Sequence, residues 1–304
     1  AEAHNNLGNL QKDLGRLDEA EKSYKKAINF KPDYANAHFN LGNSLGNFGQ
    51  FEKAEASFKK AIELKPSYFE AKMNLGIIQY QLGKADVAEA SFKNAIELKP
   101  DYSEAHYYLG NLQKKMRRLE EAETSYNKAI ELKPEYAEAH NNLGNLQKDL
   151  GRLEEAEITY KKAIEIKADY PEAYSNLGIT LKDLGRFEES EINHRKAIEL
   201  RPNYELAHYN FGIMLFAIKQ FKKAADEFKL CNYKDSKKYL MKCFFEINDQ
   251  SNFNKLLDEE INQGTNNAVI GAFVSLSNSR YETHKQNPFC NEPLDYVIKT
   301  DLTK

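Results

Sequence analysis

The chain has 304 residues, of which 41% are hydrophobic and 29% charged, and its formal net charge at pH 7 is −3. A chain of this length forms one or two domains, and the small net charge excludes a general electrostatic attraction to nucleic acid or anionic membrane. The longest apolar run, FGIMLFAI at 211–218, is far shorter than the ~20 residues of a membrane-spanning helix. We therefore predict no membrane partner.

The cysteines and the first residues bear on the cellular compartment. Cys231, Cys243 and Cys290 form no CxxC pair, whereas zinc sites need clustered ligands and disulfide scaffolds are usually short and rich in cysteine. We expect free thiols in an intracellular, cytoplasmic protein. We recognise no signal peptide, and because residue 1 is not Met and already lies within a repeat, we expect a piece of a longer or processed protein.

A period of 34 residues runs from residue 1 to about residue 231. The stretch AEAHNNLGNLQKDLGRL at 1–17 returns unchanged at 137–153, which is four periods later. Asn-Leu-Gly or a close variant recurs at positions 6–8 of each repeat, with Tyr108-Leu109-Gly110 in the fourth. Self-similarity at such a fixed period is typical of a repeat architecture.

Each repeat carries the pattern of two short helices. Apolar residues at positions 7, 10 and 14 and then at 17, 20, 24 and 28 keep helical spacing in two successive segments. Gly at position 15 in five of the seven repeats marks a turn, and Pro at position 32 ends the second helix. One such pair cannot bury its own apolar faces, so we predict that the repeats stack into a solenoid with a concave surface.

The pattern resembles the tetratricopeptide repeat family, whose 34-residue unit is a helix–turn–helix. The resemblance implies an all-α, right-handed α-solenoid of seven repeats across residues 1–231. The repeats would start at residues 1, 35, 69, 103, 137, 171 and 205. The family's usual Trp at position 4 is replaced here, mostly by His.

The period fails after residue 231. We predict that 232–264 form a degenerate eighth helical pair, with helices within 235–249 and 250–264, and cap the stack. Residues 265–304 would form one more helix, within 266–277, and an irregular tail ending on the strand-like DYVIKTDL. The tail faintly resembles the segment that leads into a C-terminal iron/2-oxoglutarate oxygenase-like domain. That family's His-x-Asp motif is absent from the chain.

Positions 2, 6, 9 and 13 form one outward stripe on the first helix of each repeat. Position 6 is Asn in six of seven repeats, although Asn is a mediocre helix former. A carboxamide has both a donor and an acceptor, so it can bond a peptide unit irrespective of sequence. In tetratricopeptide units the first helix lines the groove, and the stripe is similar to the asparagine ladder of O-linked N-acetylglucosamine transferases, which holds extended polypeptide.

The resemblance implies a set of peptide-binding residues at positions 6 and 9: Asn6, Asn40, Asn74, Asn142, Asn176, Asn210, Asn9, Asn43, Asn111, Asn145 and Tyr108. Tyr108 either interrupts the ladder or adds a stacking platform. Alternatively, the asparagines hydrogen-bond between adjacent helices or are inherited from one duplicated ancestor. If they bind peptide backbone instead, we expect them to be nearly dispensable for folding.

Other residue patterns argue against further functions. Histidines recur at position 4, one per repeat, which is too dispersed for a metal site; we interpret them as replacing the family's Trp. The lysines at position 12 lack the Lys/Asn/Arg set that resembles the carboxylate clamp of chaperone-binding relatives. Glu recurs at position 2, where an RNA-binding repeat protein would need a basic stripe. No phosphate loop or nucleophile motif is present, so we predict no cofactor, no metal, no nucleic acid and no catalytic residue.

Together these features favour a non-catalytic module that binds polypeptide along the groove. The main alternative is the substrate-recruiting arm of a larger oxygenase-like or glycosyltransferase-like enzyme, and a third is an assembly scaffold. The first repeat should be open around His4, Leu7 and Leu10, which predicts weak head-to-tail self-association. The seventh repeat presents Leu206 and Ile213 in the stripe, as a partner pocket or, as we favour, as a surface buried by the next helix.

Overall fold

The computed structural model describes residues 1–233, 235–263, 268–283 and 285. Across these residues the chain forms seventeen helices and no strand, which confirms the predicted all-α class. The chain divides into two compact units, Ala1–Ile166 and Lys167–Lys304. The predicted domain bounds at 231 and 264 stay predictions.

The first unit consists of five helical pairs, one for each of the first five repeats. The helices are α1 Glu2–Asp13, α2 Leu17–Phe30, α3 Ala35–Asn47, α4 Phe51–Leu64, α5 Phe69–Gln81, α6 Ala85–Leu98, α7 Ser103–Lys115, α8 Leu119–Leu132, α9 Ala137–Asp149 and α10 Leu153–Ile166. Within this unit, each first helix after α1 packs against the second helix of its own repeat and of the preceding one. This is the stacking that the repeat pattern predicts.

The second unit contains the sixth and seventh repeats and three further helices. Its helices are α11 Pro171–Asp183, α12 Phe187–Leu200, α13 Glu205–Ala217, α14 Phe221–Lys229, α15 Ser236–Glu246, α16 Gln250–Asn262 and α17 Ala268–Tyr281. The ranges 235–249 and 250–264, predicted as helices, contain α15 and α16, whereas α17 extends beyond 277. The predicted strand-like DYVIKTDL at 295–302 lies outside the described residues.

The turn inside a repeat depends on one residue in the left-handed region. In the fifth repeat Gly151 has φ +76°, and the chain closes α9 with hydrogen bonds from Gly151 N to Lys148 O and from Arg152 N to Gln147 O, both 2.9 Å. Glycine adopts this conformation without steric cost. The fourth and seventh repeats make the same turn with Arg117 at φ +63° and Lys219 at φ +60°.

The core of each repeat lies between its two helices. The side chains at positions 20 and 24 are at most 2% exposed in all seven repeats. Glycine at position 8 lets the first helix lie directly on the aromatic ring at position 24. In the fifth repeat, for example, a Cβ atom on Gly144 would come within 2.8 Å of Tyr160 Cε1.

The seventh repeat shares one apolar cluster with α15, α16 and α17. Phe211, Phe253 and Phe273 are fully buried in this cluster, and Ile213 packs against it. Ile213 is thus part of a surface buried by the following helices, as we favoured, rather than part of a partner pocket, because those helices supply the apolar surface that covers it.

The position-4 histidines have a structural partner that sequence reasoning missed. The Nε2 atoms of His38, His106, His140 and His208 lie 2.9–3.0 Å from the carbonyl oxygen of the proline six residues earlier. Because a carbonyl can only accept, the ring N–H donates and joins the repeat to the turn before it. Burial lowers the pKa of His140.

The structure contains no cluster of three or more His, Cys, Asp or Glu side chains that could hold a metal ion, as far as the chain is described. Cys231 and Cys243 are free thiols, and Cys290 lies outside the described part. Among the described helices, none has the length and apolar character needed to cross a bilayer.

Candidate functional site

The asparagines at position 6 form hydrogen bonds between successive first helices. Asn40 Nδ2 on α3 donates to Asn5 Oδ1 at 2.9 Å and to Asn9 Oδ1 at 3.1 Å, both on α1. Tyr24 OH on α2 also donates to Asn9 Oδ1, at 2.9 Å. One position-9 oxygen therefore joins both helices of its own repeat to the first helix of the next.

The same arrangement returns in the fourth and fifth repeats. Tyr126 OH donates to Asn111 Oδ1 at 2.8 Å, and Asn142 Nδ2 donates to the same oxygen at 2.8 Å and to Tyr107 OH at 3.0 Å. Burial is the main cause of the raised pKa of the Tyr126 hydroxyl.

The network is partial at other repeats. Asn74 Nδ2 donates to Asn43 Oδ1 at 2.7 Å, where Phe58 supplies no hydroxyl. In the second unit, Asn210 Nδ2 donates to Ser175 Oγ at 3.3 Å. For these residues the predicted alternative of bonding between adjacent helices is present in the structure. We therefore no longer expect the asparagines to be dispensable for folding.

The network still leaves carboxamide groups for a ligand. Within the described residues, Asn43 Nδ2 donates no hydrogen bond and Asn74 Oδ1 accepts none, and both side chains are half-buried. Likewise, within the described residues Asn9 Nδ2 donates no hydrogen bond and Asn40 Oδ1 accepts none. Each of these two bonded pairs thus keeps one donor and one acceptor, which is the complement of a peptide unit. In the Asn142–Asn111 pair, Asn142 Oδ1 already accepts one hydrogen bond, from Asn141 Nδ2 at 3.2 Å.

Positions 5 and 24 belong to the network, and sequence reasoning missed them as partners. A signal was present in the sequence. The aromatic residue at position 24 is Tyr in the first, fourth and fifth repeats, where position 9 is Asn, whereas Ile77 accompanies Phe92 and Ile213 accompanies Phe228. A hydroxyl at position 24 occurs only where an amide oxygen is available to accept from it, since a buried hydroxyl without a partner is costly.

Two clefts in the first unit collect several of the predicted site residues. A cleft of about 390 Å³ is lined by Asn43 and Asn74, and one of about 540 Å³ is lined by Tyr108, Asn111 and Asn142. Both clefts include Ile77 and Gln81, so they form one continuous groove over α3, α5, α7 and α9.

The remaining predicted residues are distributed along both units. Asn6 is exposed on α1, and Asn145 accepts a hydrogen bond from Tyr160 OH at 2.8 Å. Asn176 and Asn210 are half-buried on α11 and α13 of the second unit. Asn43, Asn74, Asn111 and Asn142 are therefore the asparagines that the structure gathers in the groove defined above.

Tyr108 changes the chemistry of the groove at the fourth repeat. Its ring stacks on Phe92 at 6.1 Å between centroids, and Tyr107 meets it edge-on at 5.2 Å. The preceding position 9 is Ile77, which offers no hydrogen-bonding atom. Tyr108 thus interrupts the asparagine network, and its ring lines the cleft. The alternative that the ring is a stacking platform for a ligand stays a prediction.

Models of the tetratricopeptide repeat match most of the repeat region. One described as TPR repeat matches 8–47, 118–151 and 144–185. Three described as tetratricopeptide repeat match 39–103, 91–124 and 171–204. Together the matches extend over residues 8–204, more than half of the chain. The comparison with curated proteins found no match to this chain.

Solved structures show the same fold. A tetratricopeptide repeat protein from Parabacteroides merdae is 20% identical, with 80% of this chain and 98% of that one covered and a TM-score of 0.64. PilF of Pseudomonas aeruginosa is 18% identical, with 68% of this chain and 97% of that one covered and a TM-score of 0.60. MamA of Desulfovibrio magneticus RS-1 is 22% identical, with 55% of this chain and 94% of that one covered and a TM-score of 0.51.

Proposed function

Because this chain belongs to the tetratricopeptide repeat family, whose fold is typical of protein–protein interaction modules, we propose that it binds extended polypeptide. The segment lies in the groove over α3, α5, α7 and α9, and the chain catalyses no reaction on it. The observation that carries the proposal is the pair formed by Asn43 Nδ2 and Asn74 Oδ1, a donor and an acceptor that the network leaves unused within the described residues.

The spacing of the pairs suits an extended chain. Side chains on successive first helices touch through the Asn74–Asn43 hydrogen bond of 2.7 Å, so those helices are in contact at ~8–10 Å between axes. Three residues of extended polypeptide cover ~10 Å. Each repeat that carries an asparagine pair can therefore bond one peptide unit of the ligand, and because only backbone atoms are bonded there, many sequences are accepted.

The inter-repeat bonds have a second consequence for binding. An exposed carboxamide loses rotamer freedom when it binds a ligand, whereas Asn40 and Asn142 are already held by two hydrogen bonds each. The network that stabilises the stack thus also orients the binding groups before the ligand arrives, which lowers the entropic cost of binding.

A pair of double variants tests this proposal. Asn40→Ala with Asn142→Ala removes two position-6 amides, Asn142 in the groove and Asn40 three residues before Asn43 on α3. The control, Tyr24→Phe with Tyr126→Phe, removes donors to the same two acceptors, Asn9 and Asn111. Phe already occupies position 24 at Phe58 and Phe92, so the control fits the core. Each lost hydrogen bond costs about 1 kcal/mol of stability, so both double variants should be less stable than the parent chain.

Binding separates the two variants. The probe is a fluorescein-labelled peptide of about twelve residues, ~40 Å when extended, selected from a random phage-displayed library on the parent chain. We expect the Asn double variant to bind it more than tenfold more weakly, because the two lost amides each bond a peptide unit. The Tyr double variant should stay within about twofold of the parent. Equal affinity losses in the two variants, or none in either, would contradict the proposal.

We also propose weak self-association through the first repeat. Leu7 and Leu10 are 43% and 56% exposed on α1. The equivalents of Leu7 in the next three repeats, Leu41, Leu75 and Leu109, are buried, as are two equivalents of Leu10, Ile78 and Leu112. The exposed stripe matches the surface that a repeat of this chain covers elsewhere, so a second copy of the chain is the occupant that fits it.

A further inference from the structure

The fourth repeat departs from the others at residues that face one cleft. Tyr108 stands at position 6, where the other six repeats have Asn. Lys115 stands at position 13, where the neighbouring repeats have Gln81 and Asp149, and Arg117 stands at position 15, where five repeats have Gly. All three line the 540 Å³ cleft. The scaffold does not require these departures, since the other repeats form the same helices without them.

The floor of this cleft is apolar. Ile77, Tyr80 and Tyr108 line it. A second hollow of about 240 Å³, lined by Leu112 and Met116, shares Tyr80 and Lys115 with the cleft and adjoins it. Concave apolar surface beside a few polar groups is typical of a binding site. This hollow can take an apolar or aromatic side chain that projects from an extended ligand.

The rim of the cleft is cationic. Lys115 Nζ lies 4.4 Å from the centre of the Tyr80 ring, and neither Lys115 nor Arg117 forms an ion pair in the described part of the chain. Lys114 pairs with Asp149 at 3.0 Å, so that carboxylate offsets only one of the three positive charges. Two cations remain for a ligand, and carboxylates are the peptide groups that complement them.

Arg117 also occupies a backbone conformation that the fold provides for glycine. Its φ is +63°, and at the equivalent Gly151 a Cβ atom would meet nothing within 4 Å. The conformation costs a non-glycine residue free energy, and the Arg117 side chain is exposed. Residues held in such conformations concentrate at functional sites.

We propose that this cleft is a specificity subsite for a polypeptide segment in which an apolar or aromatic side chain is followed closely by acidic residues. The apolar side chain enters the hollow lined by Tyr80, Leu112 and Met116. The carboxylates meet Lys115 and Arg117. The inference rests on the proposed function, because the asparagines on either side hold the backbone of the same segment.

Selection from the random phage-displayed library tests the subsite separately from the proposed function. We expect captured peptides to be enriched in a Leu, Ile, Phe or Tyr followed within about three residues by Asp or Glu, which reach the rim at ~3.4 Å per residue. Capture of peptides without this enrichment would overturn the subsite and leave the proposed function standing. Capture of none would overturn both.

Two glycine variants provide a matched pair. Arg117→Gly and Lys219→Gly both relieve a left-handed non-glycine residue, and Lys219 lies at φ +60° in the seventh repeat, outside the cleft. Both variants should unfold at a slightly higher denaturant concentration. Arg117→Gly should bind a captured acidic peptide about tenfold more weakly than the parent chain does. Its affinity for the same peptide with Asn and Gln in place of Asp and Glu should be unchanged.

Lys219→Gly should leave both affinities unchanged. Lys115→Glu should reverse the preference, binding the acidic peptide more weakly than a version carrying Lys at the acidic positions. The acidic peptide should also lose affinity as salt rises, because these charges are exposed. If Arg117→Gly and Lys219→Gly affect the acidic peptide equally, or if Lys115→Glu leaves the preference as it was, the subsite is refuted.

Discussion

His194 occupies position 24 of the sixth repeat, where the other six repeats have Tyr or Phe. Its ring is fully buried, and it stacks on Phe211 at 5.8 Å between centroids. Neither ring nitrogen has a hydrogen-bond partner among the described residues. Burial, and then the positive charge of Lys182, lower its pKa to about 3. The ring is therefore neutral in the folded protein at any mild pH.

Acid should destabilise the second unit through this residue. In the unfolded chain a histidine takes up a proton below about pH 6.5, whereas folded His194 does so only near its pKa of about 3. As pH falls between these values, the unfolded state binds more protons and stability declines by up to about 1.4 kcal/mol per pH unit. Urea denaturation at about pH 7.5 and about pH 4.5 measures a loss of about 2–3 kcal/mol from this group.

Two substitutions of His194 provide the controls. The variant His194→Phe should remove most of this loss and be more stable than the parent chain at both pH values. Its partner at position 9 is Ile179, and the third and seventh repeats also pair Ile at position 9 with Phe at position 24. The variant His194→Tyr should be less stable than His194→Phe, since the tyrosine hydroxyl would face Ile179 without an acceptor. The same pH dependence in the parent chain and in His194→Phe would show that another group is responsible.

At the scale of the helices, close approach at position 8 sets how the two helices of a repeat cross. Gly144 on α9 lies against the fully buried ring of Tyr160 on α10. The ring cannot readily withdraw, since it is fully buried and its hydroxyl is bonded to Asn145. A methyl group at residue 144 must therefore displace the whole helix.

Gly144→Ala should lower the free energy of unfolding by about 1–3 kcal/mol, because overpacking outweighs the gain in helix propensity. Gly46→Ala is the matched control within α3. A Cβ atom there would lie 3.1 Å from Ile78 Cδ1, the movable end of a flexible side chain. Gly46→Ala should be neutral or stabilise by up to about 1 kcal/mol. Chemical denaturation of both variants checks this, and equal effects would contradict it.

For the whole molecule, the exposed edge of the first repeat should govern self-association. Leu10 and Leu14 are 56% and 60% exposed. Sedimentation velocity over a range of protein concentrations should show a weight-average coefficient that rises for the parent chain. It should stay constant for Leu10→Lys with Leu14→Lys, which places two charges in the already exposed apolar surface beside Leu7. A constant coefficient for the parent chain would exclude the proposed contact.

The sequence by itself determined the repeat period, the two helices of each repeat and the residues of their core. These features are local, because each is encoded within 34 residues and repeated seven times. Gly at position 15 alone predicts the turn, since only a residue in the left-handed region closes it. The asparagine stripe and its place on the first helix were likewise readable from helical spacing.

Only the tertiary structure decided what the asparagines bond to and where the groove changes character. Asn40 meets Asn9 across 31 residues of sequence. Lys115 meets Tyr80, in a cleft that Arg117 also lines, only where α5 and α7 pack side by side. Periodicity specifies the face on which a side chain lies, but not which neighbour it reaches. That outcome depends on how close successive repeats pack, because a hydrogen bond forms only within about 3 Å.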